Sequence, residues 1–449
     1  MKENLRLYVF LMLGGVALAI ESWTGVRDNM LFWGSWMALA FLMYGLQMRE
    51  VKGITCSPRF LLLTSILLRL LPFLAMPFLS DDYFRFIWDG RLLIHGINPF
   101  LQTPRELISS EMASFYQPGM ELFEGMNSPD YYTIYPPVLQ GIFALSAWLF
   151  PHNIYGSVMV MKSFVLIAEI GSVWLLGKLL EEWELPLKWA AWYAWNPLVI
   201  IELTGNLHFE ALMIFGLLAM IYLLVRGKIW WSVLPFVLAI CCKMLPLMLS
   251  PLLIRRLGWG KVLLYGLLTA LGTGLLFLMI LDAETFSHML NSVELYIANF
   301  EFNASLWYVI RESFGHLTKE NPLEIVGKYL ALASVLSILL FTFLEKKPTI
   351  QNLPKAMLWV FGIYFLFASI VHPWYVTTAI ALGSLSVIRF PMLWSVFLPL
   401  TYWTYQTLPY QENLWIVLLE YVVVMGWLIG VDLLGKRKPQ EQSLQTRQT

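Results

Sequence analysis

The chain has 449 residues, of which 58% are hydrophobic and 13% are charged, and its 30 basic side chains are balanced by 30 acidic ones. Soluble domains carry about 25% charged residues, and a soluble fold of this length could not bury so much apolar surface in one core. The composition therefore excludes an ordinary soluble protein.

Apolar runs recur along the whole length and predict an all-α polytopic membrane protein. Backbone polar groups in lipid need internal partners, which leaves helices or closed barrels, and runs of roughly 17–25 residues fit helices. We expect a bundle of about 11–14 transmembrane or re-entrant helices. Their predicted positions are 5–20, 30–48, 60–79, 134–150, 157–180, 188–204, 209–225, 230–254, 261–281, 324–345, 355–371, 374–388, 391–405 and 414–433.

The first run has features of a signal peptide, because Lys2 and Arg6 precede it and Ala17-Leu18-Ala19 resembles a cleavage site. More hydrophobic runs follow at once, so we expect a retained first helix. The cysteines Cys56, Cys241 and Cys242 give no disulfide framework.

Basic residues beside short loops mark the cytoplasmic side of a membrane protein. Arg49, Arg226, Arg255 and Lys346 lie at such loops, which puts both termini inside. Residues 80–133 and 282–323 then become two long outer loops, and we expect them to carry short helices. This predicts one transmembrane domain over 1–434 and a disordered cytoplasmic tail over 435–449.

Two stretches do not fit a simple alternation of crossings. Segment 230–254 has basic residues at both ends and Lys243 in its middle, which a re-entrant pair of half-helices with Lys243 near its tip would satisfy. Full crossings by both 134–150 and 157–180 would put Lys178 and Lys188 outside. We expect one of those two segments not to span the membrane.

The most informative stretch is Ser80–Phe100, SDDYFRFIWDGRLLIHGINPF, where the third helix leaves the membrane. If it is helical, Asp82, Arg85 and Asp89 share one face, because residues three and four apart are neighbours on a helix. Aromatic side chains between the charges suit the membrane boundary. The alternative is a charged amphipathic collar with no chemistry.

This stretch resembles the first outer loop of GT-C glycosyltransferases, and more narrowly that of bacterial polyprenyl-phosphate-mannose-dependent mannosyltransferases. A similar order of motifs occurs in the first mannosyltransferase of GPI-anchor synthesis. The resemblance spans roughly residues 60–390. Further matching positions are Tyr135-Pro136-Pro137, Lys162 with Glu169, Trp195-Asn196-Pro197, Asn206-Leu207-His208-Phe209-Glu210, Lys243-Met244-Leu245-Pro246 and His372-Pro373-Trp374-Tyr375. The chain departs from the family in having Asp81 as an extra acid, Phe86 where Tyr is commoner, and two helices before the motif helix.

The resemblance implies a GT-C-like bundle that transfers a hexose from a polyprenyl-phosphate donor to a glycan or lipid-linked acceptor, with inversion. The resemblance to mannosyltransferases implies that the hexose is mannose. An inverting transfer needs a carboxylate base, for which Asp82 is the candidate, with Asp81 or Asp89 as orienting partners. The leaving phosphate needs cationic or polar donors. The candidates for it are Arg85, Arg91, Lys243 and His372.

Other polar positions are candidate substrate contacts, each with a plain structural alternative. Lys162 and Glu169 lie two turns apart in an apolar run, where ionisable groups are costly, and they fit either a site or helix pairing. Asn206, His208 and Glu210 fit sugar hydrogen bonding or helix capping. Asn303 lies among aromatic residues of the second loop, as in sugar sites and ordinary loops alike. Tyr135, Trp374 and Tyr375 complete this set.

The sequence predicts no metal ligands, since His208 and Glu210 diverge on a helix, although a divalent cation is left open. No nucleotide-binding glycine loop and no nucleic-acid-binding stretch occurs. Lipid, a bacterial inner membrane and an outward-facing site are expected. The rival functions are a transporter or flippase of lipid-linked sugars, and a polymerase or ligase of surface polysaccharide.

Overall fold

A computed structural model describes residues 2–51, 57–110, 119–314 and 322–435. Within these ranges the chain is helical and has no strand beyond an isolated bridge between Phe302 and Ile370. The predictions for Cys56 and for nearly all of the 435–449 tail fall outside the described residues.

The described ranges contain seventeen main helices, which cover most of the predicted apolar runs and include three in the two long loops. They are α1 Lys2–Thr24, α2 Met30–Glu50, α3 Pro58–Leu74, α4 Asp82–Ile94, α5 Pro137–Leu149, α6 Ile154–Glu182, α7 Glu210–Val225, α8 Val233–Cys242, α9 Pro251–Leu257, α10 Trp259–Leu278, α11 Ala283–Asn299, α12 Leu306–Phe314, α13 Pro322–Leu344, α14 Leu353–Phe367, α15 Pro373–Ser386, α16 Phe390–Phe397 and α17 Leu414–Trp427. Short helices at Pro104–Ser109 and Met120–Gly125 lie in the first long loop, as expected.

In the part of the chain that the structure describes, six helices are long and apolar enough to cross a membrane, and a bent pair adds a seventh candidate. The six spans are Leu5–Thr24, Met30–Glu50, Ile154–Glu182, Trp259–Leu278, Leu323–Leu344 and Leu414–Leu433. The bent pair joins Pro197–Gly205 to α7 at 114°. The chain is therefore a multi-pass integral membrane protein.

The single helix predicted over 188–204 is wrong in detail, because this segment is broken into short turns. Pro197 has no N–H to continue a helix, and the Asn196 side chain instead accepts hydrogen bonds from the Leu198 and Val199 N–H groups at 3.0 and 3.3 Å. A π-helical turn, Ile200–Gly205, follows. Such turns are often found at functional sites.

Helix α5 is a short helix packed across α4 rather than a full crossing. Its 13 residues give a length of about 20 Å, less than the roughly 30 Å of hydrocarbon. The two helices meet at Gly90, where an added Cβ would lie 2.2 Å from the Phe143 carbonyl oxygen. Of the two doubtful segments, only α6 has spanning length.

The chain turns back at Lys243, as the re-entrant alternative requires. The Ser232 hydroxyl just before α8 lies 3.1 Å from that of Tyr265, early in α10, and Val237 packs against Gly272 further along both helices. Helices α8 and α10 are therefore parallel. Since only Gly258 separates the end of α9 from the start of α10, residues 233–257 enter and leave on one side.

The two long loops meet at the other end of the bundle. The Asn98 amide donates to the Ile280 carbonyl at 2.5 Å, and His288 lies 2.9 Å from the Phe100 carbonyl oxygen. At the opposite end Arg226 pairs with Glu182, and Arg256 pairs with Glu345. The fold thus gathers both loops over one end of the bundle.

Candidate functional site

Asp81 and Asp82 stand at the start of α4, under the loop end of the bundle. The partly exposed Asp82 accepts a hydrogen bond from the Asn127 amide at 3.1 Å. Asp81 pairs instead with Arg27 at 2.5 Å. Carboxylates are favoured at a helix N-terminus because the helix dipole is positive there. Asp82 is thus the less neutralised of the two acids.

Arg27 was not among the predicted site residues, yet it shapes the surroundings of both acids. It lies in the turn between α1 and α2, and its guanidinium packs over the Tyr405 ring at 4.7 Å. The two carboxylates both lie within electrostatic range of Tyr405. The first helix pair and the segment after α16 therefore border the motif of α4.

Asp89 and Arg85 form a buried pair that fastens the first loop to α4. Arg85 donates to the Asp89 carboxylate at 2.8 Å and to the Ser128 and Tyr131 carbonyls. The other Asp89 oxygen accepts from Thr133 and Gln140 at 2.5 and 3.0 Å. Apart from their mutual pair, the polar contacts given for both side chains lie within the first loop and α5.

Arg91, one turn further along α4, is half-buried beside the first loop. Burial lowers the pKa of Arg91, and the charge of Glu121 opposes this shift. Tyr135 lies on the other side of α4, where its ring meets Phe86 at 4.9 Å and Phe143 at 5.6 Å. Tyr135 thus lies in an aromatic cluster between α4 and α5.

Asn206 and Lys162 hold the segment that leads from α3 into the acidic motif. The Asn206 amide oxygen accepts the N–H groups of both Phe78 and Leu79 at 3.0 Å. The buried Lys162 ammonium donates to the Pro72 and Ala75 carbonyls at 3.0 and 2.5 Å. These carbonyls are at the C-terminal end of α3, where a cation satisfies orphan acceptors.

Glu169 is part of a second buried connection between α3 and α6. Arg69 donates to it through two nitrogens, at 3.2 and 2.9 Å, and the Tyr193 hydroxyl donates to its other oxygen. Arg69 also binds the Ala194 carbonyl. Sequence reasoning missed Arg69, although it is an ionisable residue in an apolar run, as Lys162 is.

Glu202 and His208 form a buried pair, of which the sequence predicted only His208. The Nδ1 atom of His208 lies 2.7 Å from the Glu202 carbonyl oxygen and 3.4 Å from its carboxylate. Since a carbonyl only accepts, Nδ1 carries the proton. Nε2 has no hydrogen-bond partner among the described residues. The other Glu202 oxygen accepts from Tyr402 at 3.0 Å.

The turn that carries His208 has a left-handed residue. Leu207 has φ of 62° and is fully buried. A bulky residue rarely adopts this conformation, which persists only where the surroundings enforce it. This turn places His208 between Glu202 of the π-helical turn and Trp374 of α15.

Trp374 lies between two imidazole rings. His208 stacks on it with a centroid distance of 3.8 Å, and His372 stacks at 4.3 Å, both nearly parallel. Two rings this close could not share one face of the indole. Burial lowers the pKa of His372 well below its ordinary value, and the charge of Lys243 adds to this shift.

Lys243, at the tip of the re-entrant pair, reaches into the same cluster. It forms a salt bridge with Glu210, the first residue of α7, and its ammonium lies 4.0 Å from the Tyr375 ring centroid. Residues from three distant parts of the chain thus meet here. Contacts lead from Lys243 through Tyr375, Trp374, His208, Glu202 and Tyr402 to Tyr405. Arg27 packs over Tyr405 and pairs with Asp81, the residue next to Asp82.

Asn303 joins the second loop to the C-terminal helix. Its N–H donates to Glu412 at 2.7 Å, its amide donates to Glu420 at 2.9 Å, and its carbonyl accepts from Tyr421. The neighbouring Phe302 ring lies 4.7 Å from His372. Asn303 therefore positions a residue that borders the stack.

No group of three or more His, Cys, Asp or Glu side chains in the described ranges could hold a metal ion. Among these residues the cluster around Lys243 and Trp374 offers one cation, two imidazoles and two carboxylates, those of Glu202 and Glu210. Such an arrangement can bind an anionic group and accept a proton from a hydroxyl.

A family model described as "Alpha-(1->6)-mannopyranosyltransferase, N-terminal domain" matches residues 4–257, more than half of the chain. No curated protein matches the sequence. The matched region includes the acidic motif, His208 and Lys243, and ends before His372.

Proposed function

The chain belongs to the MptA_B family of alpha-(1->6)-mannopyranosyltransferases, and from this membership we propose that it is a GT-C enzyme with a polyprenyl-phosphate mannose donor. As a mannosyltransferase it takes a sugar donor and an acceptor. The proposed reaction runs with inversion on the outer face of a bacterial inner membrane, where a glycan or lipid-linked acceptor presents a hydroxyl.

The proposed step is a single displacement at the sugar. The acceptor oxygen attacks C1 of mannose, the bond from C1 to the phosphate oxygen breaks, and polyprenyl phosphate leaves with the bonding electrons. A base removes the hydroxyl proton. Because one displacement inverts C1, an α-linked product requires a β-linked donor.

Asp82 is the proposed base, since it is partly exposed and, among the described residues, its carboxylate accepts only from the neutral Asn127 amide. Asp81, held by Arg27, borders it as an orienting acid. Lys243, His372 and Arg91 are proposed to contact the phosphate, for which a cation or N–H donor stabilises the developing charge. Tyr375 is proposed to contact the sugar, whereas Trp374, with an imidazole stacked on each face, is proposed to position His208 and His372.

Other predicted site residues fit positioning roles better than direct contact. Arg85 and Asp89 satisfy one another and the first loop. Lys162 and Asn206 hold the chain just before Asp81. We propose that these four residues fix where Asp82 stands.

The observation that carries the proposal is the unbroken series of contacts from Lys243 to the neighbours of Asp82. It links a cation at the tip of a membrane hairpin to a carboxylate at the loop end of the bundle. A lipid phosphate and a water-borne acceptor have to meet across such a boundary.

The test is transfer by the purified protein in detergent, supplied with polyprenyl phosphomannose and a mannan oligosaccharide. We expect a lengthened product and released polyprenyl phosphate. A transporter has no chemistry to display under these conditions, so absence of any product would sink the enzymatic proposal.

The outward placement is tested by cysteine labelling in intact cells. Glu124→Cys is exposed in the first loop, and Lys347→Cys is exposed at the opposite end. A membrane-impermeant maleimide should label the first and spare the second. The reverse pattern would overturn the orientation.

A further inference from the structure

An apolar groove of about 410 Å³ opens between the returning half of the re-entrant pair and α10. One wall carries Met244, Leu247 and Leu253, and the other runs from Val262 to Phe277. These α10 positions cover about 22 Å of helix. The groove therefore extends through most of the thickness of a hydrocarbon layer.

The α10 wall of the groove is lined by small residues. Gly266, Ala270 and Gly274 follow one another at four-residue intervals and so share a helix face. An added Cβ at Gly266 or Gly274 would meet no atom within 4 Å. The notches at these glycines leave room for a branched chain.

Two consecutive residues, Lys243 and Met244, face the polar cluster and the groove respectively. Lys243 has extended backbone, with φ of −156° and ψ of 129°, and side chains of neighbouring residues point to opposite sides of an extended chain. Lys243 contacts Glu210 and Tyr375, whereas Met244 lines the groove. A molecule with an anionic head and an apolar tail matches this division.

We propose that the groove binds the isoprenoid chain of the donor, with the donor phosphate at Lys243. This inference rests on the proposed lipid-phosphate donor. A methyl-branched chain fits the notched α10 wall, and the nearby ammonium complements the phosphate charge. Burial of hydrocarbon in the groove adds binding energy in proportion to the apolar area covered.

The test compares two mannose donors, one with a long polyprenyl chain and one with a water-soluble two-isoprene chain. Gly266→Leu and Gly274→Leu fill the groove. For these variants we expect KM for the long-chain donor to rise by about tenfold, with KM for the short-chain donor unchanged. Gly260→Leu is the matched control, because it lies on the same helix in open space outside the lining.

A second readout does not depend on turnover. A photoreactive long-chain polyprenyl phosphate should label α10 in the wild type and lose that labelling in Gly274→Leu. Equal KM changes for both donors, or labelling elsewhere, would overturn the groove assignment. Disulfide-linked dimers of Gly266→Cys in place of lipid labelling would assign the face to a second copy of the chain. A wild type that uses neither donor would contradict the proposed function instead, while the labelling result still decides the groove.

Discussion

The Nδ1 atom of His208 is held by the carbonyl oxygen of Glu202 at 2.7 Å. This contact fixes the tautomer of the imidazole and leaves Nε2 as the atom available to a ligand. It joins two residues of a strained turn whose conformation the short sequence motif alone does not reveal.

Two substitutions of His208 distinguish the roles of its two ring nitrogens. His208→Asn places an amide where Nδ1 was and keeps the bond to Glu202, whereas His208→Gln reaches toward the Nε2 position. If Nε2 contacts substrate, His208→Asn should lower kcat/KM by about tenfold or more, corresponding to about 1.4 kcal/mol, without lowering Tm. Initial rates and thermal melts of both variants measure this. Full activity in His208→Asn would remove Nε2 from the mechanism.

Asp82→Asn should lower transfer by about 10²–10⁴-fold, because the amide cannot accept the hydroxyl proton. Protein abundance should not change, since the neighbouring Asn127 can still hydrogen-bond the amide oxygen. Asp28→Asn is the matched control, because that carboxylate is exposed beside Arg27. Rates are measured with saturating donor in detergent. Near-normal transfer by Asp82→Asn would exclude this residue as the base.

Lys162→Met should destabilise the protein and impair transfer together. The carbonyl oxygens of Pro72 and Ala75 would lose their buried donor, and an unsatisfied buried group costs about 1–3 kcal/mol. The segment before Asp81 would then be less fixed. Lys178→Met is the control on the same helix, because its ammonium is exposed. Equal Tm values for the two variants would contradict the positioning role.

Gly90→Ala tests the crossing of α4 and α5. The added methyl group meets the Phe143 backbone carbonyl, which cannot rotate away as a side chain can. The free energy of unfolding should therefore fall by at least the roughly 1–3 kcal/mol typical of overpacking. Gly141→Ala, on α5 in open space, should be neutral. Folded yield and Tm are the measurements. A stable Gly90→Ala protein would mean that the helices are further apart.

Glu412 should make stability depend on pH. Burial raises the pKa of Glu412 to about 7, against the opposing effect of the Asn303 N–H, from an ordinary 4.5. Between these two pH values folded Glu412 holds a proton that the unfolded chain has lost. The free energy of unfolding should therefore fall as pH rises from 4.5 to about 7. Melting curves across this window measure the slope. Glu412→Gln should flatten it, and an unchanged slope in that variant would assign the dependence to other groups.

The sequence predicted the helical bundle well because apolar runs mark it directly. It also offered a turn at Lys243 as one arrangement, since a full crossing would put the basic residues at one end of 230–254 on the outer side. The break at Asn196-Pro197 was missed because periodicity is insensitive to a proline inside an apolar run, although the proline itself gave the signal.

Some of the predicted site residues converge around Lys243, and others position the chain near Asp82. Sequence spacing alone does not reveal this division. His208, Glu210, Lys243 and the His372 segment converge, which depends on how α7, α8 and α15 pack. Arg69 and Glu202 were overlooked although each is an ionisable residue in an apolar run, the criterion that had selected Lys162. Arg27 gave no such signal, because it lies in a polar turn and its importance comes from contact with Asp81.

Because the chain forms a hairpin at Lys243, the depth of the Lys243 ammonium group in the membrane can change without changing the direction of any later helix. Both of its arms begin and end at the same surface, so adding or removing a turn in each arm would raise or lower the tip without inverting any later helix. Relatives with longer or shorter arms could thus serve lipids whose head groups sit at other levels, on an otherwise unaltered scaffold.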